Sequence, residues 1–216
     1  MPSMLILHSL DDSTKFLNIF QEKFPENYLA FDTDAGSILH AKEVLGDLED
    51  NSLIVYLGHG SSNGLYIPNS ENNYKDLFLD VKWGNHYFQG HDILLICCNS
   101  AELISRIHTY NSGIGFGNII SSDFELEHHN ANNKIKKTLT KEEIDMFNET
   151  YVNISISILA MIENQVLNLA HIFKYYRYFL NKEINKILLN DKITNRVELA
   201  CLLFELRDQM VYSSKK

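Results

Sequence analysis

The sequence predicts an α/β protein, a mostly parallel sheet with helices on both faces, continued by a helical C-terminal region. Three observations carry this. Apolar runs bounded by turn residues recur at residues 4–10, 53–57 and 92–98, and runs of this kind suit strands buried on both faces. Between them lie amphipathic segments of helical period. From about Thr140 the strand-like runs stop, and helical periodicity continues to Tyr212.

Taken in order, MLILHSL (4–10) reads as the first strand, and Asp11, Asp12 and Ser13 after it suit a turn and a helix N-cap. STKFLNIFQEKF then sets Phe16, Ile19, Phe20 and Phe24 at helical spacing. NYLAFDTDAG is expected to supply a second strand. SILHAKEVLGDLED is expected to be a helix burying Ile38, Leu39, Ala41, Val44, Leu45 and Leu48. SLIVYLGHGSSNG gives an apolar strand, Leu53 to Leu57, that ends in a glycine-flanked histidine, and the stretch from Leu65 to His91 reads as a less regular connection. DILLICC is the next central strand. SAELISRIHTY is its following helix, with Ala101, Leu103, Ile104 and Ile107 inside, and GIGFGNIISSDFE is a glycine-rich turn with a strand over NIISS. This order implies right-handed crossovers in one sheet. Thr140 followed by Glu142 and Glu143 marks a helix start, and Asn181, Asn190 and Asn195 are the expected helix breaks. The expected division is an α/β core over 1–135 and helices over 136–216 packed on it as one unit.

Composition narrows the function. Net charge is −9, with 19 basic against 28 acidic residues, which disfavours a nucleic acid partner. The most apolar long stretch, residues 152–173, is interrupted by Ser155, Ser157, Glu163, Asn164, Gln165, Asn168 and His171. It reads as a buried helix rather than a membrane span. With no secretory signal pattern at the N-terminus, a cytoplasmic protein is expected. Three cysteines, two of them adjacent, make no disulfide framework.

The chemistry sits at two strand ends. His59, in GHG at 58–60, and the pair Cys97–Cys98 each follow an apolar strand directly, and active groups of open α/β sheets gather at that edge. If the strands are parallel neighbours, His59 and Cys98 come within reach of each other. Strand alternation then turns Cys97 into the core. A thiol facing an imidazole is a competent nucleophile and base. Gly58 and Gly60 allow close backbone approach, and the amides of Gly60 and Cys98 are candidate oxyanion donors. A structural role for a lone strand-end cysteine is common, so the assignment of Cys98 rests on its pairing with His59.

The segments LIVYLGHGSSNGL and ILLICCNSAEL resemble the caspase-like cysteine peptidases of clan CD, and CCNSAEL is closest to the Cys-x-Ser/Thr-Ala run of bacterial CHAT domains. The resemblance spans roughly residues 4–125, with about two dozen specific positions. It implies a caspase-like three-layer sandwich and a cysteine endopeptidase with a His59–Cys98 dyad. It also implies Gly60 in the oxyanion hole, no cofactor and no metal. Expected partners are a protein or peptide substrate and a regulatory protein or signal molecule that activates the enzyme. The role implied is a regulated effector in prokaryotic defence or cell death, with restraint sought in the Asn-rich connection from Ile67 to Tyr74 and in the helical third. The chain departs from the family in lacking a caspase pentapeptide and in its helical ending. A catalytically idle scaffold of the same fold, or an unrelated sensing domain of TIR-like shape, are the alternatives.

Three lesser features complete the reading. Asp123 follows NIISS, which in the resembling fold borders the pocket for the residue before the scissile bond; this implies a candidate substrate-binding acid that would favour Arg or Lys, together with Gly58 and Ser61, while an ordinary strand-end or helix-cap Asp is at least an equal alternative. His128 and His129 are expected in a solvated polar loop, without metal-ligand spacing. His86 and His91 are expected at the surface.

Overall fold

The computed structural model describes residues 4–68, 74–132, 134, 136–164 and 167–215. The chain divides into two compact units, Met1–Asn118 with Met210–Lys216, and Ile119–Gln209. The division thus falls some seventeen residues before the expected one at 135, and the last residues belong with the first unit.

The first unit is built on a six-stranded sheet in the order β2-β1-β3-β7-β8-β9. Its strands are β1 Met4–Ser9, β2 Tyr28–Phe31, β3 Leu53–Leu57, β7 Asp92–Ile96, β8 Ser112–Gly115 and β9 Val211–Ser214. Neighbours from β2 to β8 are parallel; β9 is antiparallel to β8. The C-terminal third is therefore not all helical, because VYSS closes the sheet. An exposed edge strand of mixed polarity gives little apolar signal, which is why its sequence reads as a helix tail.

Between these strands lie a 3-10 helix, Asp12–Asn18, running into α1 Ile19–Lys23, then α2 Ala35–Gly46, α3 Val81–Tyr87 and α4 Ser100–Arg106. The chain moves outward from β1 to β2, then back across β1 to β3, β7 and β8. Right-handed crossovers therefore put the 3-10 helix and α1 on one face and α2, α3 and α4 on the other. Core packing agrees. Leu5, Leu7, Ile54, Tyr56, Ile93, Leu95 and Cys97 form one cluster with Ala41 and Leu45 of α2 and Leu103 and Ile104 of α4. Their strand neighbours Ile6, Val55, Leu57, Leu94 and Ile96, also buried, alternate to the opposite face.

Several expectations are corrected here. STKFLNIFQEKF starts as a 3-10 helix because Thr14 N bonds Asp11 O at 3.1 Å and the Asp11 side chain caps Ser13 N. Leu39 is exposed, outside the buried face of α2. The connection from Leu65 to His91 is more regular than expected. It holds α3 and most of a three-stranded antiparallel sheet, β4 Gly60–Ser61, β5 Gly64–Tyr66 and β6 Leu77–Asp80. These strands are too short to show an alternation. The glycine-rich segment carries its strand on SGIG rather than NIISS. His91 is buried, while His86 is exposed as expected.

The second unit holds α5 Asp123–Asn132, α6 Lys141–Asn164, α7 Leu169–Leu188 and α8 Arg196–Gln209. Thr140 and Glu143 form a capping box at the start of α6: Thr140 N donates to Glu143 Oε2 at 2.9 Å and Glu143 N to Thr140 Oγ1 at 3.3 Å. The same carboxylate accepts from Asn195 N and Nδ2, both at 2.8 Å, which ties the start of α8 to that of α6. Asn190 and Asn195 mark breaks as expected, but Asn181 lies inside α7. The long apolar stretch is split between α6 and α7, and no described helix is long and apolar enough to cross a membrane. His128 and His129 lie on α5, not in a loop.

One buried group makes the first unit acid-sensitive. His8, on β1, is 0% exposed, bonds Tyr28 Oη through Nδ1 at 2.6 Å, and finds no partner for Nε2 among the described residues. Burial lowers it from 6.5 to about 4. Between those values the unfolded chain binds a proton that the folded one refuses. Stability present above pH 6.5 is therefore lost as pH falls to about 4, by up to about 3 kcal/mol. An NMR titration of the His8 ring in the folded protein should show a midpoint near 4; one near the free value would overturn this assignment.

Candidate active site

The site grows from the C-terminal ends of β1, β3 and β7. β3 pairs with β7 from Leu53↔Asp92 to Leu57↔Ile96. His59 and Cys98 each lie two residues beyond the last pair, so they leave the sheet at the same level on adjacent strands. The strand order reverses direction between β1 and β3, the switch point at which open α/β sheets form their crevice.

Glycine shapes the first turn. Gly58 has φ +146°, a conformation L side chains rarely adopt, and it swings the chain out of β3. Gly60 lies against the cysteine turn: a β-carbon there would sit 2.6 Å from Cys97 Sγ and 3.2 Å from the Cys98 carbonyl oxygen. The His59 carbonyl accepts from Tyr66 N at 3.0 Å and lies 3.1 Å from the hydroxyl of buried Tyr56. In the β4–β5 hairpin this makes His59 and Tyr66 a hydrogen-bonded pair, so the next pair, Gly60↔Leu65, is a non-bonded one. The Gly60 N–H consequently points away from β5. Ser61 uses its hydroxyl to accept from Asn63 N at 3.2 Å within the turn. Arg106 of α4 fixes the hairpin tip by donating to Ser62 O at 2.7 Å and Asn63 Oδ1 at 2.8 Å.

The second turn is held from beneath. Cys97 is buried and Cys98 half-buried, as the alternation requires. Burial, together with the neighbouring Cys98, pushes the Cys97 thiol well above the usual range. Asn99 takes a left-handed φ of 55°, and its N–H donates to Gly117 O at 2.8 Å. Buried Ser100 Oγ lies 2.7 and 2.8 Å from the carbonyls of Leu95 and Cys97 and accepts from Phe116 N at 2.8 Å. The glycine-rich segment now has its reason. A β-carbon at Gly115 would meet the Ser100 carbonyl at 2.6 Å, so only glycine lets β8 pass the cysteine turn.

Three residues that sequence reasoning left out surround His59. Nε2 lies 2.8 Å from Ser13 Oγ, 3.0 Å from Tyr74 Oη and 3.6 Å from Asp11 Oδ1. The Tyr74 ring packs on the imidazole at a 4.3 Å centroid distance. Asp11 in turn accepts from Ser13 N at 2.9 Å and Ser13 Oγ at 2.6 Å. Its side chain is 2% exposed against 13% for His59. Burial alone raises the Asp11 carboxyl, but the bonds from His59 and Ser13 outweigh it and hold the group well below the usual carboxylate range. The signal for this cluster is DDS directly after the first strand, which reads locally as a helix cap and is one; its second role needs the β1–β3 pairing. Tyr74 ends the Asn-rich connection, and residues 69–73 of that connection lie outside the described residues.

Asp123 does not end a strand. It is the exposed first residue of α5 in the second unit, where an acid is favoured by the helix dipole. Among the described residues no three His, Cys, Asp or Glu side chains are grouped to hold a metal ion. No protein-family model matches the chain, and no curated protein or solved structure matches it either.

Gly60→Ala tests the contact between the two turns. The added methyl must displace Cys97 Sγ or the turn itself, at a cost of about 1–3 kcal/mol. Urea unfolding should show that loss.

Proposed function

We propose that the chain is a caspase-like cysteine endopeptidase in which Cys98 is the nucleophile and His59 the general base and acid. The observation that carries this reading is the register of β3 and β7, which brings His59 and Cys98 out at one level beside the switch point of the sheet. In the proposed cycle His59 takes the thiol proton and the thiolate attacks the scissile carbonyl. The N–H groups of Gly60 and Cys98 receive the oxyanion, an arrangement supported by the outward Gly60 amide. His59 then returns the proton to the leaving amine, and water hydrolyses the acyl-enzyme by the same route. Cys97 takes no part, because burial keeps it a thiol.

The caspase-like form of the fold belongs to the same proposal. It is supported by the parallel sheet, by the helices on both of its faces, and by β9, an antiparallel last strand in place of the helical ending expected from sequence. A protein or peptide substrate and a role as a regulated effector in defence or cell death follow from the resemblance. Tyr74 packed at a tilt on His59 favours a second reading, a scaffold held idle or an enzyme held back until activated. Asp123 lends no weight to a basic preference in the substrate.

Iodoacetamide at neutral pH should alkylate Cys98 faster than exposed Cys201 and leave Cys97 untouched until the chain unfolds. The Cys98 advantage should vanish in His59→Ala. Equal, slow labelling of all three would sink the dyad. A peptide library should be cut by wild type and not by Cys98→Ala; no cleavage under any activating condition would leave the scaffold reading.

A further inference from the structure

The proton inventory around His59 is determinate. Asp11, as a carboxylate, can only accept. Its Oδ1 stands 2.6 Å from Ser13 Oγ, so the single hydroxyl proton of Ser13 goes to Asp11. Ser13 Oγ then faces His59 Nε2 at 2.8 Å with a lone pair. Two such atoms at that distance need one hydrogen between them, and it can only be on Nε2. Tyr74 Oη, 3.0 Å from the same nitrogen, shares that hydrogen as a second acceptor. These contacts all run through Nε2, and in the neutral ring a hydrogen on Nε2 leaves Nδ1 with its lone pair.

We propose that Asp11 and Ser13 are the positioning residues of this site: they fix His59 as the Nε2–H tautomer and so make Nδ1 the atom that takes the Cys98 proton. The assignment rests on the His59–Cys98 reading above. It also says what Ser13 is not. A serine nucleophile donates its proton to histidine while the carboxylate holds the other ring nitrogen. Here the order is reversed: the carboxylate holds the serine, and the serine holds the histidine. The Ser13 hydroxyl is aimed away from the base, so the trio orients the ring and does not activate Ser13. When Nδ1 accepts the thiol proton, the ring gains a positive charge 3.6 Å from the Asp11 carboxylate, in a region where that carboxylate is shielded from water. The device is thus complete before substrate arrives, and it is built from β1 and the 3-10 helix rather than from the turns that carry the reacting groups.

The test uses the full chain labelled with ¹⁵N-histidine, with His59 assigned by its loss in His59→Gln. Wild type at neutral pH should show a protonated Nε2 and an unprotonated Nδ1. In Ser13→Ala the acceptor at 2.8 Å is gone, so the Nε2–H signature should weaken. Alkylation of Cys98, measured against Cys201 in the same molecule, should slow roughly 10-fold. Ser13→Thr, which keeps the hydroxyl, should restore both readouts. Asp11→Asn keeps the cap of the 3-10 helix and should slow Cys98 alkylation without shifting the Cys201 rate. A ring protonated on Nδ1 in wild type, or a signature unmoved by Ser13→Ala, overturns the proposal even if peptides are cut. The expected signatures in a chain that cuts no peptide sustain the positioning and remove the endopeptidase reading instead.

Discussion

The structure depends on the unbroken register of three central strands. β1, β3 and β7 pair without a bulge, Met4 against Leu53 and Leu53 against Asp92, and β3 is buried along its whole length. No water reaches these peptide groups, so each N–H and C=O must find its partner in the neighbouring strand. A slip of one residue would forfeit those bonds and turn every side chain to the wrong face. It would also exchange Cys97 and Cys98, exposing the first and burying the second. The placing of Cys98 is in this sense a property of the sheet, fixed by pairs two to six residues upstream of the thiol.

Past the last ladder bond, other groups must take over, and they are side chains, two of them buried. Tyr56 reaches from β3 to the carbonyls of His59 and Tyr66, and its burial keeps the phenol protonated, hence a donor. Ser100 does the same for the carbonyls of Leu95 and Cys97. Asp11 and Ser13 do it for the ring of His59. Strand-end turns are usually the softer parts of an α/β protein. These are pinned by side chains, so the geometry of the turns is set by the fold itself.

How far the sequence discloses this depends on the range over which each residue acts. The central strands were legible because burial on both faces writes an apolar run, and the separation of Cys97 from Cys98 followed from alternation alone. Thr140 and Glu143 were legible as a cap because their partners lie three residues apart. What escaped were elements whose meaning is nonlocal. β4, β5 and β6 are too short to write a period, and β9 is a strand only because β8 is there to pair with it. NIISS has β-branched residues but forms no strand. Asp11 and Ser13 are read correctly as a cap, yet the Ser13 bond to His59 spans 46 residues of sequence and exists only because β1 and β3 are neighbours.

The tandem of cysteines raises a last physical question: why two adjacent thiols do not compete. Cys97 faces the cluster of Leu95, Leu103 and Ile104, where an anion has no water and no compensating cation. Ionising Cys98 places a negative charge one residue away, which raises Cys97 further. Of the two, Cys97 is therefore the one held as a thiol, and alternation turns the other out of the core. Gly60 completes the arrangement, because its missing side chain leaves room for Cys97 Sγ directly under the turn that bears His59. A larger core residue at 97 would push that turn away from Cys98, while a smaller one would leave a void beneath it. Cysteine at 97 is thus explained by volume.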